Sequence, residues 1–406
     1  MITQRTSEQK VMRDPVHDYI HIDYQVIWDV INTKEFQRLR RIHQMGTSYL
    51  VYHTAEHSRF SHSLGVYEIV RRMTTEVEDL NTQLTESEKI QVMLAGLCHD
   101  LGHGPFSHFF ELVIEESHEK LTERILIEES DVHRVLEKAE PGLSHRVASI
   151  LNHTHPKTVL TQLISSQLDA DRMDYLLRDA FFTGTSYGTF DLGRILRTLR
   201  MVNNRLAIKH SGIHSIEDYI MARYHMYWQV YFHPTSRAVE ALLLAFFRRL
   251  KERMNEDSQF IDQYPMFLFM KKGSLNLEDH YRLDESTCFY GFQCMQEDHD
   301  LVLSDLSKRI LERRLFNDED VVDEEQLKSI QTKLVQHGFD PQYYFYQDKT
   351  EKRPYSPYNE ENSLIYILEN DGSVVELSQS SKLVHAIVHG EQKQNHKVFY
   401  PKEITS

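Results

Sequence analysis

Cysteine, proline and glycine are all scarce in this chain of 406 residues, which contains 3 Cys, 10 Pro and 15 Gly. So few cysteines exclude a disulfide-stapled scaffold, and so little proline and glycine excludes a linker-rich or collagen-like chain. Long hydrophobic runs are also missing, because the longest, residues 241–247, is far shorter than the ~20 residues that span a bilayer. Residues 1–17 are polar and lack the apolar core of a secretory signal. We therefore expect a cytoplasmic protein that does not enter a membrane.

Positive charge is the next shortage, since 46 Lys+Arg face 61 Asp+Glu and give a formal net charge of −15. This balance argues against broad nucleic-acid binding, although a local cationic pocket can still bind a polyanion. Hydrophobic residues make up 40% and charged residues 26% of the chain, as in globular proteins. At about 150 residues per domain, two or three domains are expected. What the chain does have is histidine, 24 residues in all, which points to imidazole chemistry.

Apolar periodicity predicts a mostly α fold with a smaller α+β region at the C-terminal end. Thr85 and Glu88 form a capping-box pattern ahead of a helix that should end near His99. Hairpins are predicted around Asn203-Asn204 and around Asn370-Asp371-Gly372. The other predicted helices cover residues 27–44, 62–73, 144–152, 157–177 and 216–253.

The densest chemical segment is His99-Asp-Leu-Gly-His-Gly-Pro-Phe-Ser-His108. Where a helix ends, adjacent His99 and Asp100 can turn toward one point, and their nitrogen and oxygen donors suit a divalent transition metal. Taken alone, this dipeptide is weak evidence for a metal site, because it arises often by chance and is then simply a helix-end cap. His62 strengthens the metal interpretation, because it lies at a helix start where a structural role would favour Ser, Thr, Asn or Asp.

A third polar segment, residues 169–179, is helix-like and rich in acidic side chains. Asp171, Tyr175 and Asp179 are spaced at i, i+4 and i+8, which places them on one helix face. A surface helix with internal ion pairs would explain the remaining Asp169, Asp174 and Arg178. For Asp171 and Tyr175 we expect a role in the site instead.

Together these segments resemble the HD-domain dNTP triphosphohydrolases, a branch of the HD superfamily of metal-dependent phosphohydrolases. The resemblance is carried by Arg59-Phe-Ser-His62-Ser-Leu-Gly, by the segment from His99 to His108, and by Asp171-Arg-Met-Asp-Tyr175-Leu-Leu-Arg-Asp179. Asp14-Pro-Val-His17 and Phe36-Gln-Arg-Leu-Arg40 also look like the N-terminal signature of that family. Related enzymes carry a sterile-alpha-motif domain ahead of the HD domain, and we expect none in this chain.

The resemblance implies one divalent ion held by His62, His99, Asp100 and Asp171, and it does not distinguish Mg, Mn, Fe, Zn or Ni. It also implies that imidazoles of the loop after the His-Asp pair face the triphosphate. The catalytic residues implied in this way are His103, His108 and His118, with Glu111 orienting His108.

Substrate contacts follow from the same resemblance. Tyr175 would pack against the sugar and select 2′-deoxy substrates, Asp179 would accept a hydrogen bond from the 3′-hydroxyl, and Tyr231 would lie near the sugar. The residues implied for the 3′-hydroxyl and the phosphates are Gln44, Arg59, Arg172 and Arg223.

Regulated relatives also have a second nucleotide site, which in this chain would involve Lys10, Asn32, Gln37 and Arg40. Asn32 replaces an Asp that reads guanine in those relatives, so activation by a dNTP or GTP with Mg is implied but a guanine preference is not. Homo-oligomers, as a tetramer or a dimer, are a further implication of the resemblance. A nucleic-acid partner is not expected.

The sequence therefore predicts a hydrolase that converts a dNTP and water into a deoxynucleoside and triphosphate. Residues 1–255 would form the HD phosphohydrolase core with an N-terminal regulatory or oligomerisation segment, residues 256–330 a helical extension with an acidic linker, and residues 331–406 the α+β region. Two alternatives stay open. One is a different HD phosphohydrolase, such as a nucleotidase, a cyclic-dinucleotide or alarmone hydrolase, or a nuclease. The other is a non-catalytic nucleotide sensor.

Overall fold

The computed structural model describes residues 1–271, 275–350, 364–389 and 395–405, apart from the side chains of His108, Lys271, Thr350 and Asn395. Helices dominate this part of the chain, which confirms the predicted mostly α class. The helices are α1 Gln25–Ile31, α2 Lys34–Arg38, α3 Arg59–Glu76, α4 Glu78–Gln83, α5 Glu86–Cys98, α6 His108–Ile114, α7 His118–Ile127, α8 Asp131–Ala139, α9 Leu143–Leu151, α10 Thr158–Ile164, α11 Ala170–Thr183, α12 Leu192–Thr198, α13 Ile213–Met226, α14 Pro234–Glu256, α15 Leu277–Arg282, α16 Glu285–Met295, α17 Leu301–Leu311, α18 Glu324–Gln336, α19 Pro341–Tyr344, α20 Leu377–Ser380 and α21 Lys382–His389.

Three small sheets accompany these helices in the described residues. The strands are β1 Arg5–Asp14, β2 Asp18–Tyr24, β3 Leu199–Val202, β4 Arg205–Lys209, β5 Asn317–Asp320, β6 Tyr346–Thr350, β7 Tyr366–Leu368, β8 Val374–Glu376 and β9 Asn395–Tyr400. Strands β1 and β2 form an antiparallel hairpin, β3-β4-β7-β8 form the second sheet, and β5-β9-β6 form the third. Both predicted hairpins are confirmed, with Val202 opposite Arg205 and Leu368 opposite Val374.

Three of the predicted helices are broken, so their continuity was wrong. The break between α1 and α2 falls at Thr33, whose hydroxyl caps the second helix by accepting from the Phe36 amide at 3.3 Å. Asp169 caps α11 in the same way, through the Arg172 amide at 2.8 Å. A π-turn at Tyr227–Tyr231 and Pro234 at the first position of α14 divide the segment predicted over 216–253. In each case a capping residue or proline, inside a continuous apolar pattern, starts a new helix.

The start of α5 is as predicted, because Thr85 and Glu88 form both hydrogen bonds of the capping box. Its last residue is Cys98, immediately before the His99-Asp100 pair. The acidic linker predicted within residues 256–330 corresponds to residues 317–325. Residues 317–320 of this segment form strand β5, and Asp323 caps α18. Among the described residues, no helix is both long and apolar enough to cross a bilayer.

Buried apolar side chains form two large clusters that meet near the loop after α5. The first cluster contains apolar side chains of β2, α3, α5 and α11, together with side chains from within residues 365–388. The second is built on α14, α16 and α17 and receives residues 398–404. Phe106 and Phe109, which lie in or just after that loop, belong to the second cluster. The loop is thereby anchored between the two cores.

Close packing of α3 on α11 depends on Gly65. A Cβ at this position would lie 1.8 Å from Asp174 Oδ1 and 2.5 Å from Arg178 Nη2. Any larger residue would therefore push the two helices apart. The glycine lets a carboxylate of α11 reach the His62 side chain one turn earlier in α3.

Candidate metal-dependent active site

Four side chains from three separate helical segments converge on one point. His62 lies in the first turns of α3, His99 and Asp100 follow the end of α5, and Asp171 lies in the first turn of α11. His62 Nε2 is 3.0 Å from Asp171 Oδ1, and His99 Nε2 is 3.2 Å from Asp100 Oδ1. Donor atoms of the His62, His99 and Asp100 group all lie within 4.8 Å of one another. The structure thus brings together the four residues predicted as metal ligands.

Ring orientations show that these residues fit a metal ion. His99 Nδ1 donates to the Gly96 carbonyl at 2.8 Å, which leaves a lone pair on Nε2. That Nε2 atom is buried and has no hydrogen-bond partner among the described residues. His62 Nδ1 lies 2.8 Å from Asp174 Oδ2, a carboxylate–histidine arrangement that directs Nε2 to the cluster. Two imidazoles and two carboxylates leave room for water or substrate, as catalytic sites require.

The electrostatics of the cluster favour a cation. Burial opposes ionisation of Asp100, but the Arg59 guanidinium outweighs it and holds the pKa of this carboxyl well below its usual range. Burial also opposes the charged form of His62, yet its bonds to Asp171 and Asp174 raise the pKa of its imidazole to about 10. The carboxylates therefore stabilise positive charge at this point, which a divalent ion would supply. The His/Asp cluster is suited to hold a divalent metal.

The loop after α5 brings two of the predicted catalytic imidazoles together. Gly102 allows this approach, because a Cβ there would lie 2.1 Å from the His118 carbonyl oxygen. The His103 and His118 rings stack with centroids 3.8 Å apart. Glu111 Oε1 lies 2.6 Å from His118 Nδ1. The predicted pairing of Glu111 with His108 concerns a side chain outside the described residues.

His103 differs from His62 in its charge. Burial and the Arg59 guanidinium hold the pKa of His103 well below its usual range, so its imidazole is neutral near pH 7. His103 Nε2 lies 3.3 Å from Asp100 Oδ1. Donor atoms of Asp100, His103 and His118 also lie within 4.8 Å of one another, which makes them a second group able to bind a cation.

A cavity of about 760 Å³ opens beside the cluster where the two cores meet. His99, Asp100, Asp171, His103 and His118 line one part of it. The residues predicted to contact sugar or phosphate that also line it are Gln44, Arg59, Tyr175, Asp179 and Tyr231. Metal cluster, loop imidazoles and predicted sugar contacts therefore share one cavity.

Asp179 is held on both carboxylate oxygens at the end of the cavity where sugar contacts were predicted. Tyr231 donates to its Oδ2 at 2.7 Å, and His57 Nε2 lies 2.7 Å from its Oδ1. The Tyr175 and Tyr231 rings meet edge to face at 6.1 Å. His57 is buried and stacks on Phe182 with centroids 4.6 Å apart. These contacts fix the carboxylate and the two tyrosines as one polar and aromatic wall.

Two predicted phosphate contacts lie outside the cavity lining. Arg172 pairs with Asp169 and donates to the Ser166 carbonyl at 2.5 Å. Arg223 donates to Gln167 Oε1 at 2.8 Å. A phosphate role for either arginine stays a prediction. Arg59 does line the cavity, but its Nη1 is 2.5 Å from Asp100 Oδ2, so it also contacts a metal-ligand candidate.

The four residues predicted for a second nucleotide site gather around Trp28 and the α1–α2 turn. Lys10 lies over the Trp28 ring at 5.5 Å, and the Asn32 amide donates to the Trp28 carbonyl at 2.7 Å. Gln37 donates to the Ile31 carbonyl and accepts from Arg40 Nε at 2.9 Å. They share one surface, and nucleotide binding there stays a prediction.

The expectation of a surface helix for Asp169, Asp174 and Arg178 was wrong, because all three are fully buried. Arg178 pairs with Asp174 on its own helix and with Asp14. Asp174 also lies 2.6 Å from His17 Nε2, so the N-terminal signature packs directly behind the cluster. The sequence signal that could have revealed this role is the i, i+3 spacing of Asp171 and Asp174. His57 was missed as well, although it lies two residues before Arg59, where one of the quoted motifs begins.

Comparisons with known proteins agree with this geometry. A model of the HD domain matches residues 59–179, which include all four metal-ligand candidates, and a model of the HD-associated region matches residues 190–338. The uncharacterized protein YwfO of Bacillus subtilis is 45% identical over 98% of this chain and 94% of its own. The chain belongs to the HD-domain phosphohydrolases with an HD-associated region. The prediction of a metal-dependent HD phosphohydrolase is thereby confirmed.

Two further relatives of this HD phosphohydrolase extend the comparison. The crystal structure of a phosphohydrolase from Bacteroides thetaiotaomicron superposes with a TM-score of 0.86 at 30% identity, covering 97% of this chain and 100% of that one. A deoxynucleoside triphosphate triphosphohydrolase, the SAMHD1 homolog of Dictyostelium discoideum, is 30% identical over 62% of this chain and 53% of its own. The predicted HD superfamily membership is therefore confirmed.

Proposed function

We propose that the protein is a dNTP triphosphohydrolase, which splits a deoxynucleoside triphosphate into the deoxynucleoside and triphosphate. The observation that carries this proposal is the shared cavity, in which the His/Asp cluster lies next to the wall formed by Tyr175, Asp179 and Tyr231. The matching activity in the name of the Dictyostelium discoideum relative supports it.

In this proposal each part of the cavity has one task. A divalent ion held by His62, His99, Asp100 and Asp171 would supply an activated water and polarise a phosphoryl oxygen. His118, oriented by Glu111, is placed to give a proton to the leaving 5′ oxygen. At the other end, Asp179 accepts a hydrogen bond from the sugar 3′-hydroxyl, and Tyr175 occupies the space that a 2′-hydroxyl would need.

The test is a product analysis with each dNTP in the presence of Mn²⁺ or Mg²⁺, with and without GTP or a second dNTP as activator. Deoxynucleoside and triphosphate in equal amounts are the expected products. Pyrophosphate and dNMP, or no turnover under any of these conditions, would overturn the proposal. Tight nucleotide binding without turnover would instead identify a nucleotide sensor.

A second candidate, hydrolysis of a less charged phosphate ester such as a nucleoside monophosphate, is favoured by the charge of the cavity. Of its described lining residues, just Arg59 and Lys120 carry a permanent positive charge, while Glu119, Glu123 and Glu240 also line it. A triphosphate needs more neutralisation than a monophosphate. Release of inorganic phosphate from a dNMP, faster than turnover of the matching dNTP, would favour this candidate.

The proposal extends to regulation and assembly. The surface around Trp28, with Lys10, Asn32, Gln37 and Arg40, would bind an activator dNTP or GTP with Mg²⁺. The protein would work as a homotetramer or dimer in the cytoplasm and would bind no nucleic acid. Sedimentation velocity with and without GTP and dATP tests the activator site and the oligomeric state, since activator binding should shift the protein toward the larger species.

A further inference from the structure

We infer that Glu285, the first residue of α16, is a positioning residue for the loop that carries His103. The inference rests on the proposed hydrolytic function of the cavity that this loop lines. Glu285 is 3% exposed and lies in the region matched by the HD-associated model, far along the chain from every metal-ligand candidate. Its carboxylate joins two walls of the cavity.

The contacts of Glu285 are to backbone as well as to side chain. Its Oε1 accepts from the Phe106 amide at 3.1 Å, inside the loop after the His-Asp pair. Both carboxylate oxygens accept from the His43 amide at 3.1 Å, next to Gln44. The His43 ring also donates from Nδ1 to Oε2. One buried carboxylate thus fixes the position of the loop relative to the segment that contains Gln44.

The loop needs such a support because its backbone is strained at this place. Phe106 has a φ of 61° and Ser107 a φ of 57°, both in the left-handed region that bulky residues avoid. Conformations of this kind persist only where surrounding contacts over-determine them. The Ser107 hydroxyl forms a further hydrogen bond between the loop and the Gln44 segment, since it donates to the His43 carbonyl at 3.1 Å.

Arg38 also links the loop to the residues just before α16, independently of Glu285. Its Nη1 donates to the His103 carbonyl at 2.7 Å, and its Nε donates to the Leu283 carbonyl at 2.8 Å. Arg38 is fully buried. The start of α16 therefore fixes the His103 end of the loop through Arg38 and the Phe106 end through Glu285.

Losing the carboxylate of Glu285 should move the loop rather than unfold the protein. In Glu285→Gln the side-chain amide presents N–H groups to backbone N–H donors, so one buried donor loses its acceptor. A displacement of about 1 Å at a reacting group can cost about 100-fold in rate. We expect kcat to fall at least ~10-fold, with KM changed less than ~3-fold, because the wall at Asp179 is untouched and the Gln44 amide keeps its own hydrogen bond to the His57 carbonyl at 2.9 Å.

The matched control is Glu137→Gln. Glu137 also accepts from two backbone amides, those of Gly142 at 2.8 Å and Ser144 at 3.2 Å, but it joins α8 to α9 away from the loop. This variant should lose stability while keeping kcat. Equal kinetic effects in both variants would overturn the inference. If Glu285→Gln does not fold, Glu285→Asp, which keeps the charge but withdraws it by one methylene, takes its place.

A readout independent of turnover separates this inference from the proposed function. Amide hydrogen exchange over residues 103–109 should be faster in the Glu285 variant than in both wild type and Glu137→Gln, measured where all are folded. Unchanged exchange there would overturn the inference even if the enzyme is active. If wild type hydrolyses no nucleotide, the proposed function fails, and the exchange comparison still decides the role of Glu285.

Discussion

Asp174 lies directly behind His62, with its Oδ2 atom 2.8 Å from His62 Nδ1, on the side of the ring opposite Asp171. It is fully buried and also pairs with Arg178. The carboxylate fixes both the orientation and the tautomer of a metal-ligand candidate. Asp174 therefore orients a metal-ligand candidate without being one itself.

Replacing Asp174 by Asn should weaken divalent-metal binding by about 10- to 100-fold, because the imidazole loses its orienting acceptor. Equilibrium dialysis with Mn²⁺ measures the change. Asp300→Asn serves as the control, since Asp300 is a largely buried carboxylate that pairs with Arg249 and caps α17 far from the cluster. A metal affinity equal to wild type in Asp174→Asn would contradict the prediction.

Removing the metal should lower stability as well as abolish hydrolysis. An ion that binds only the folded protein raises the unfolding free energy by about 2.7 kcal/mol at a free concentration 100 times its Kd. Thermal unfolding after chelation, and again after Mn²⁺ is restored, measures this gain. Asp171→Asn should show a smaller gain. Metal analysis should find one ion per chain, and two would mean that the Asp100, His103 and His118 group also binds one.

Glu111→Gln should reduce kcat by up to about 100-fold while leaving KM little changed. The carboxylate of Glu111 lies 2.6 Å from His118 Nδ1 and orients the ring for proton transfer. Steady-state kinetics with a dNTP measure both parameters. Glu116→Gln is a suitable comparison, because Glu116 lies between Glu111 and His118 in the chain but pairs with Arg124. A loss confined to KM would assign Glu111 to binding.

The resemblance was sufficient to name four residues that the structure brings together, because each metal-ligand candidate lies in a short motif. His99 and Asp100 follow a helix that was predicted to end near His99, and the structure ends it at Cys98. The helix breaks at Thr33 and Asp169 were missed because the apolar pattern continues through them. Both residues are good N-caps, and that was the available signal.

Contacts between distant parts of the chain could not be read from the sequence. Glu285 binds the amides of His43 and Phe106, which are 242 and 179 positions away. No local pattern distinguishes such a carboxylate from a surface one. For Asp174 the spacing from Asp171 was a local signal, but its burial depends on Gly65 in another helix. Tertiary packing, not local propensity, decides these roles.

Tyr175→Ala should reduce the preference for deoxy over ribo substrates, because the ring no longer occupies the space beside the sugar. Relative kcat/KM for dATP and ATP measures the preference. Tyr175→Phe keeps the ring and its edge contact with Tyr231, so it should keep the preference. If Tyr175→Ala discriminates as well as wild type, the sugar selectivity lies elsewhere, and the other HD phosphohydrolase activities gain support.

His43 should make stability depend on pH. Burial opposes its charged form, but the carboxylates of Glu285 and Glu56 outweigh this and raise the pKa of the His43 imidazole. Its folded pKa therefore lies above the value of about 6.5 in the unfolded chain. The resulting stabilisation is complete below about pH 6.5 and is lost as the pH rises through the folded pKa.

Urea unfolding of wild type and His43→Gln across this pH range tests the sign. The difference in unfolding free energy should be largest at the acidic end and should shrink as the pH rises. In a Glu285→Gln background the same substitution should have a weaker pH dependence, because the principal partner of the imidazolium is gone. A difference that grows with pH would mean that His43 is neutral in the folded protein. The hydrogen bond to Glu285 would then form with an uncharged imidazole.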